Sequence, residues 1–383
     1  MDSGQVNKRN GNRYAILRAL QFDGPSRRGQ IARKYGIRQS SVTGIAAELL
    51  QAGLIREQQP GNSRSLLELD TSRFHALVGN LTPAFCRIAC VYLDGRIAES
   101  REISLVHALD APAILDTVAR GFAECLAEGD GRILGLGLAM PGTVDPGLGR
   151  CIYAARLQWR NLAVADELRR RLGFDVFIDN DVRCQLWSSV WFERLAPALG
   201  NTIYLSVHQG LACAMIMNGR RIIGEHCAAG EIGHVRVGEE GRLCHCGRTD
   251  CLEAYCSVPA ILSEIERIRP TMNLKTASNL ADEAEEDPLV LNVLDRAARR
   301  LARALAGLIA VTDPHTLVIG TADRRFSTIL HDLLKRHLYT ELIGLSGNDA
   351  QLVVADSVED SALRGVAGLV IDRAFAIGSP QAD

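Results

Sequence analysis

Apolar residues recur every three to four positions in three segments near the N-terminus. The first segment is residues 12–22, the second follows Ser26, a good N-cap residue, and the third is residues 41–53. Residues 54–70 then hold two short apolar stretches around a Pro-Gly-Asn turn, which predicts a β-hairpin. Three helices followed by a hairpin predict a winged helix-turn-helix, in which the third helix is the recognition helix.

After residue 75 the pattern changes to apolar stretches of strand length that alternate with helices. Two similar series follow one another. The first has strands predicted at 75–81, 86–93, 96–105, 133–144 and 175–182, with a helix at 111–128. The second has strands predicted at 201–207, 213–223 and 314–322, with a helix at 293–312. This alternation predicts an α/β domain with two similar halves and a ligand site between them, at the carboxyl ends of the strands. The predicted domains are residues 1–75 and 76–383, with the second half beginning near residue 195.

The two predicted domains differ in charge, although the chain as a whole is nearly neutral at −2. Residues 1–75 hold 12 basic and 6 acidic side chains, a net charge of +6, whereas the remainder has a net charge of −8. Such asymmetry is typical of a nucleic-acid-binding module joined to another domain. The alternative is a small helical domain that only happens to be basic. Charge, helix spacing and hairpin together favour DNA binding.

The side chains that would contact DNA follow from this arrangement. Exposed positions at the start of the recognition helix can read base edges in the major groove; they are Arg38, Gln39, Ser40, Ser41 and Thr43. Other basic residues are better placed to contact phosphates, which position the protein without reading sequence; they are Arg13, Arg27 and Arg28. Arg64, at the tip of the wing, could reach a phosphate or the minor groove.

Targeting signals are not evident. The sequence has no run of about 18 apolar residues, the length that a membrane helix needs, and its polar first residues lack the apolar core of a signal peptide. These patterns predict a soluble, cytoplasmic protein.

Four of the eleven cysteines lie close together, and three of them have the spacing of metal ligands. Cys244, Cys246 and Cys251 follow His234 by ten residues or more, in a polar loop rich in glycine. Three thiols and one imidazole form the closed shell of a structural zinc (Zn2+) site. The alternative is a group of reduced, unliganded cysteines, which such compact spacing disfavours. The fourth cysteine, Cys256, is expected in a helix core.

Four short motifs follow the basic module: MPGTVD at 140–145, IDND at 178–181, GEIGH at 230–234 and CHCGRTDCLE at 244–253. With that module they resemble the ROK family of transcriptional repressors and sugar kinases, over essentially the whole chain. The resemblance implies a two-lobed, actin-like sugar-kinase fold, preceded in the repressors by a winged helix-turn-helix. It also implies a homodimer or homotetramer.

The resemblance assigns a sugar site. The counterparts of the family's sugar-binding residues are all present: Asn161, Asn180, Asp181, Glu231, His234 and Glu253. Carboxylates and amides supply the paired acceptors and donors that sugar hydroxyls need. Asp181 is the counterpart of the kinases' general base, and His234 would hold zinc through one ring nitrogen and the sugar through the other.

The two phosphate loops of the kinases are altered in this sequence. The family's Asp-x-Gly-Gly-Thr corresponds here to residues 80–84, which carry Asn80, no glycine and Pro83, which has no N–H group. The second loop, residues 208–214, keeps only Gly210 of four glycines. Because glycines let backbone N–H groups approach phosphates, the sequence predicts that phosphoryl transfer is lost. A further departure is Asp250, where the family usually has glycine.

Together these observations predict a sugar-responsive transcriptional repressor that binds double-stranded operator DNA and a small-molecule sugar effector, without catalysis and without a membrane. One alternative is an ATP-dependent sugar kinase with an accessory DNA-binding domain. Another is a scaffold that is regulated by a protein partner instead of a metabolite.

Overall fold

A computed structural model describes residues 3–59, 65–108, 110–128, 132–196, 200–342 and 350–376. The chain divides into two compact units, each assembled from segments that are separate in the sequence. The first unit comprises the chain up to Leu138, Ala165–Phe177 and the chain from Val366; the second comprises Ala139–Val164 and Ile178–Gly365. The sequence boundaries at residue 75 and near residue 195 stay predictions.

The N-terminal segment folds as the predicted three helices and wing. Its elements are α1 (Ser3–Asp23), α2 (Arg28–Lys34), α3 (Gln39–Gln51), β1 (Ile55–Glu57) and β2 (Leu67–Leu69). The two strands pair antiparallel, with Ile55 opposite Leu69. The helices bury Leu17, Ile31 and Val42 against one another, so the predicted apolar spacing does form a core.

The start of α2 differs from the prediction. Arg27 is its N-cap residue, so the assignment of that position to Ser26 is wrong. Ser26 pairs with Leu67 through two backbone hydrogen bonds of 2.9 Å. This adds one antiparallel β-bridge to the wing, so the Ser26 backbone is hydrogen-bonded to strand β2. Gly53 ends α3 with a φ of +71°, a conformation that favours glycine.

The first half of the α/β part contains a large sheet of five strands, with helices and a small second sheet between some of them. In chain order the elements are β3 (His75–Leu81), β4 (Phe85–Tyr92), β5 (Ile97–Ser104), α4 (Ala111–Glu128), β6 (Ile133–Met140), β7 (Thr143–Asp145), β8 (Arg150–Ala154), β9 (Trp159–Leu162), α5 (Val164–Leu172), β10 (Val176–Asn180) and α6 (Asp181–Trp191). The sheet order is β10-β6-β3-β4-β5, and the short strands β7, β8 and β9 form a separate antiparallel sheet.

The second series of elements follows. These elements are β11 (Thr202–Val207), β12 (Leu211–Met217), β13 (Arg220–Ile222), α7 (Glu253–Cys256), α8 (Val258–Ile268), α9 (Ala277–Glu286), α10 (Pro288–Thr312), β14 (Thr316–Gly320), α11 (Arg324–Glu341), β15 (Gln351–Val354) and α12 (Val358–Ala376). Among the helices within the described residues, none is both long enough and apolar enough to cross a membrane.

The two large sheets have the same strand order, which confirms the predicted repeat. In the second sheet the order is β13-β12-β11-β14-β15. Its first strand, β11, therefore lies in the centre, as β3 does in the first sheet. β11 pairs antiparallel with β12 and parallel with β14. In each sheet the antiparallel hairpin strands lie on one side of the central strand, and the strands that follow helices lie on the other side.

The second unit is built around α10. One face of this helix buries Val293, Leu301 and Leu305 in an apolar cluster with strands β11 and β14 and helices α8 and α11. The cluster also includes Cys256, whose thiol donates to the Ala297 carbonyl at 3.4 Å. Cys256 is thus the helix-core residue that the sequence predicts.

Candidate functional site: a polar cluster, a thiol cluster and a basic helix face

Two glycines bring the GEIGH segment against strand β12. A Cβ atom on Gly230 would lie 1.9 Å from the Cys213 carbonyl oxygen, and one on Gly233 would lie 1.9 Å from that of Leu211. Neither position has room for a side chain. Because the backbone packs this closely, the short 3-10 turn Ile232–His234 fixes the positions of Glu231 and His234.

The start of α6 holds the next two residues of the cluster. Asn180 is the N-cap residue, and its side-chain oxygen accepts a hydrogen bond from the Arg183 amide at 3.0 Å. Its Nδ2 donates to the Gly142 carbonyl and to the Asp181 carboxylate, both at 3.0 Å. The Asp181 carboxylate also accepts from the Val182 amide at 2.9 Å, so it lies at the positive end of the helix.

A buried ion network under these residues was not anticipated from the sequence. The Asp179 carboxylate is fully buried and is bound by Arg183 and Arg221 at 2.6 Å. Arg183 also donates to the carbonyls of Val144, at 2.6 Å, and Cys227, at 3.2 Å. One guanidinium thus joins the start of α6 to strand β7 and to the loop that contains Cys227. Nothing in the isolated IDND motif indicates these partners, because they come from distant segments.

The carboxyl groups of the cluster interact electrostatically. The pKa of Asp181 is raised from its ordinary 3.8 to about 6, first by burial and also by the charge of Glu231, against the opposing hydrogen bond from the Val182 amide. The pKa of Glu231 is also raised, first by burial and also by Glu253, against the opposing effect of His234. Like charges held near one another disfavour ionisation, so the Glu231 carboxyl group interacts with those of both Asp181 and Glu253.

Glu253 and His245 complete the cluster. One Glu253 oxygen accepts from the Leu211 amide at 2.9 Å, and the other is paired with His245 Nδ1. Burial opposes ionisation of Glu253, but the hydrogen bonds from His245 and Leu211 hold its pKa below the ordinary value. His245 is absent from the predicted site. The only sequence signal for it is its place between two predicted metal ligands.

Five of the six predicted sugar residues therefore belong to one cluster: Asn180, Asp181, Glu231, His234 and Glu253. Asn161 is placed differently. It is exposed in β9 with a φ of +51°, and its side-chain oxygen accepts from Arg150 at 2.9 Å. None of the contacts described for Asn161 involves the other five residues.

The predicted metal ligands converge. The donor atoms of His234, Cys244, Cys246 and Cys251 all lie within 4.8 Å of one another. Two of these separations are 3.7 Å: His234 Nδ1 to Cys244 Sγ, and Cys246 Sγ to Cys251 Sγ. A tetrahedral zinc ion with bonds of about 2.3 Å to sulfur separates its ligands by roughly 3.7 Å. The four side chains therefore fit such an ion.

His234 lies between the two clusters. Its Nδ1 faces the Cys244 thiol, while its Nε2 lies 3.8 Å from a Glu231 oxygen. The two ring nitrogens thus point to opposite sides, one to the thiols and one to the carboxylates. This is the arrangement that the sequence predicts for a residue shared by both sites.

Four of the five predicted base-reading positions at the start of α3 are exposed, and one of them, Arg38, is basic. Arg38, Gln39, Ser40 and Thr43 are exposed, Ser41 is half-buried, and the opposite face of α3 buries its apolar residues. The exposed start of α3 lines a cavity of about 710 Å³ together with residues of α1: Lys8, Arg9 and Asn12. Sequence reasoning missed these three residues. Their signal was the basic stretch KRNGNR.

The predicted phosphate contacts are dispersed. The Arg28 guanidinium is paired with Glu57, Arg27 is exposed at the start of α2, and Arg13 is partly buried, which lowers its pKa. None of the three is among the residues that line the cavity beside α3. Arg64 lies outside the described residues.

Comparison with known families agrees with this geometry. The model of the ROK family matches residues 85–373. This chain belongs to the ROK family. The model of the MarR family matches residues 10–66, which contain the three helices and the wing. The protein is therefore a ROK domain preceded by a MarR-type winged helix.

Individual ROK proteins are similar over much of the chain. The DNA-binding transcriptional dual regulator NagC of Escherichia coli K12 is 27% identical over 325 residues, which cover 81% of this chain and 80% of NagC. A glucokinase of Thermotoga maritima is 27% identical over 274 residues, 67% of this chain and 86% of the glucokinase. A solved ROK family transcriptional regulator, a homolog of the E. coli MLC protein, has a TM-score of 0.83 at 24% identity and covers 97% of this chain and 98% of that chain.

The departure from the ROK pattern at Asp250 has a local explanation. Asp250 adopts a φ of +62°, a conformation that glycine adopts freely and aspartate tolerates. Its buried carboxylate accepts from the Tyr255 hydroxyl and from the Arg242 amide. The Tyr255 hydrogen bond contributes most to holding its pKa below the ordinary value. The negative charge is thus satisfied by its own donors instead of facing the thiols alone.

The altered ROK phosphate loops use their N–H groups internally. In the first loop the Thr82 amide donates to the Phe85 carbonyl at 2.8 Å. In the second, the His208 amide donates to Gly210 at 2.9 Å and the Leu211 amide donates to Glu253. These N–H groups are committed to turns and to the polar cluster.

The raised pKa of Asp181 leads to a prediction about stability. Between about pH 4 and pH 6 the folded protein holds a proton on Asp181 that the unfolded chain releases, so this residue destabilises the fold as the pH rises through that range. Asp181→Asn should raise the free energy of unfolding at pH 7.5 by on the order of 2 kcal/mol, and leave it nearly unchanged at pH 4.

Urea titrations of both proteins at the two pH values measure this effect. Asp175→Asn is the matched control, since Asp175 is exposed and should give no such pH dependence. An equal gain for Asp181→Asn at both pH values would contradict the assignment.

Proposed function

We propose that this ROK protein is a sugar-responsive transcriptional repressor. The observation that carries the proposal is one chain with two features: an exposed polar start of helix α3, beside basic residues of α1, on a MarR-type winged helix, and a cluster of carboxylate, amide and imidazole groups suited to a polyol. Sequence similarity to NagC supports the regulatory part. The protein would act in the cytoplasm, where it meets operator DNA.

In this proposal residues 1–75 bind double-stranded DNA and residues 76–383 bind the effector. The protein acts as a homodimer or homotetramer, so that two winged helices meet a palindromic operator. The start of α3 reads bases through Arg38, Gln39, Ser40, Ser41 and Thr43, and Arg27, Arg28 and Arg64 contact phosphates. The sugar changes DNA affinity through its different affinities for two conformations of the protein.

The sugar hydroxyls bind the polar cluster. Asp181, Glu231 and Glu253 accept hydrogen bonds from hydroxyls, and Asn180 and His234 donate and accept. Asn161, which lies apart in β9, joins when ligand is bound. Because Glu253 also fixes the Leu211 amide, the sugar site and the altered phosphate loop share one carboxylate.

We propose further that phosphoryl transfer is lost. The N–H groups of Thr82, His208 and Leu211, in the two altered loops, donate to other protein groups. One observation favours the alternative of an ATP-dependent sugar kinase with an accessory DNA-binding domain. Asp181 is retained, and its pKa of about 6 suits a general base near neutral pH.

Zinc binding is part of the proposal. His234, Cys244, Cys246 and Cys251 would hold a structural Zn2+ ion, which supplies a fixed cross-link for the loop. Burial opposes ionisation of Cys246, but hydrogen bonds from Arg248, Cys244 and Cys251 together lower its pKa to about 7, which favours the thiolate that binds metal. The ion would keep His234 oriented toward the carboxylates.

Sugar-dependent ADP release distinguishes repressor from kinase. We expect no turnover above background with hexoses, pentoses or N-acetylhexosamines, because both phosphate loops have lost glycines and the N–H groups of Thr82, His208 and Leu211 are engaged in other hydrogen bonds. A ROK glucokinase assayed in parallel serves as the positive control. Clear sugar-dependent ADP release that Asp181→Asn abolishes would establish the kinase alternative.

Metal content tests the thiol cluster. The purified protein should contain about one zinc per chain, and a strong chelator should lower its melting temperature, since metal binding contributes to folding. Cys246→Ser should lose the metal, whereas Cys125→Ser, a half-buried cysteine outside the cluster, should keep it. Full stability without metal would exclude the site.

DNA selection tests the repressor. A sequence selected from random duplexes should bind the wild-type protein specifically, and Gln39→Ala should weaken that binding by about tenfold while leaving non-specific binding unchanged. Gln51→Ala, at the exposed far end of the same helix, is the control. A sugar that shifts the melting temperature should also change DNA affinity. If no sequence is selected, the proposal fails.

A further inference from the structure

The groove between helices α1 and α3 has a basic wall. It is the cavity of about 710 Å³ at the start of α3. Among the described residues that line it, three are cationic, Lys8, Arg9 and Arg38, and none is acidic. Of these three, Arg9 alone forms an ion pair within the described part of the chain, with Glu48 of α3. The groove is therefore complementary to an anionic partner.

The groove is open along α3. Gly44 lines it, and a Cβ atom added there would meet no heavy atom within 4 Å. The hydroxyl-bearing residues Ser40 and Ser41 line the same side, above the buried side chain of Ile45. An anionic chain can thus approach α3 closely at this point and meet polar groups.

The place of α1 beside α3 determines which part of a DNA duplex it would meet. The major groove is about 12 Å wide, and one α-helix of about 10 to 12 Å diameter fills it. A second helix packed against the first therefore lies over the edge of the groove, which consists of phosphates. Lys8 and Asn12 are one turn apart in α1 and share the side that faces the start of α3. The position of Lys8 and Arg9 thus favours phosphate contacts over base contacts.

The Arg9–Glu48 pair holds one of these cations in place. Both side chains are more than half exposed, at 60% and 51%, so the pair adds little to folding stability. Glu48 follows Gly44 by four residues, about one helical turn, and so lies on the groove side of α3. A phosphate that enters the groove meets Arg9 already occupied by a carboxylate, which it can displace at small cost.

We propose that Lys8 and Arg9 bind the phosphate backbone of DNA beside the recognition helix, and that Glu48 competes with DNA for Arg9. The inference rests on the proposed DNA binding by residues 1–75 and adds contacts and an internal competitor to it. On binding, Arg9 exchanges a carboxylate oxygen for a phosphate oxygen, and no proton is transferred. Glu48 thereby lowers the affinity for all duplexes alike, because phosphates are the same in every sequence.

Binding of the full-length protein to two duplexes over a range of salt concentrations tests the phosphate contacts. One duplex is the selected sequence and the other has a random sequence. Lys8→Gln and Arg9→Gln should each weaken binding to both duplexes by about tenfold and lower the slope of log K against log salt by about 1. Arg120→Gln removes the same charge from an exposed position on α4 and should leave affinity and slope unchanged.

A double-mutant cycle tests the competition. Glu48→Gln should tighten binding to both duplexes about three- to fivefold, the strength of an exposed ion pair. In the Arg9→Gln background the same change should have little effect, because the residue for which Glu48 competes is gone. Glu124→Gln, on an exposed carboxylate of α4, is the control. All variants should melt at the wild-type temperature, since the substituted side chains are exposed.

Other outcomes overturn the proposal in distinguishable ways. If Lys8→Gln and Arg9→Gln bind both duplexes as the wild type does, the groove does not contact DNA, although the proposed repressor function stands. If they weaken only the selected duplex, these residues read bases instead of phosphates. If Glu48→Gln tightens binding equally with and without Arg9, Glu48 acts by repulsion and not by competition. If neither duplex is bound, the proposed DNA binding itself fails.

Discussion

The polar cluster depends on one buried carboxylate. Asp179 is fully buried and holds two arginines, and Arg183 in turn donates to backbone carbonyls of strand β7 and of the loop that contains Cys227. A buried guanidinium without its carboxylate costs several kcal/mol, so these segments keep their positions only together. These ion pairs therefore fix the geometry of the cluster more than they add net stability. Asn180 and Asp181 follow Asp179 directly, and they inherit that fixed geometry.

Much of the fold could be predicted because its signals are local. Helical and alternating apolar spacing, turn glycines and the repeated order of elements locate the winged helix and the two sheets. The capping of α2 could not be predicted in this way. The choice of Arg27 over Ser26 depends on a backbone pairing with Leu67, which is distant in the sequence.

Some residues of the candidate site could likewise be predicted from local spacing, and others could not. The thiols and His234 have a spacing that predicts their convergence, and the structure brings their donor atoms together. Arg183 was not predicted, because the carbonyls that it binds belong to distant segments. His245 was not predicted either, because nothing in the spacing of its motif indicates that it pairs with Glu253. Asp250 was recognised as a departure from the family pattern, but its donors, the Tyr255 hydroxyl and the Arg242 amide, become visible only in the fold.

The two faces of His234 have a consequence for hydrogen bonding. An imidazole whose Nδ1 is a metal ligand must carry its ring proton on Nε2, so the second nitrogen becomes an obligatory donor. In this protein that nitrogen points toward Glu231. The tautomer of one histidine would therefore connect metal status to ligand recognition. A cell short of zinc would then present its repressor with a different pattern of donors and acceptors, even at a constant concentration of sugar.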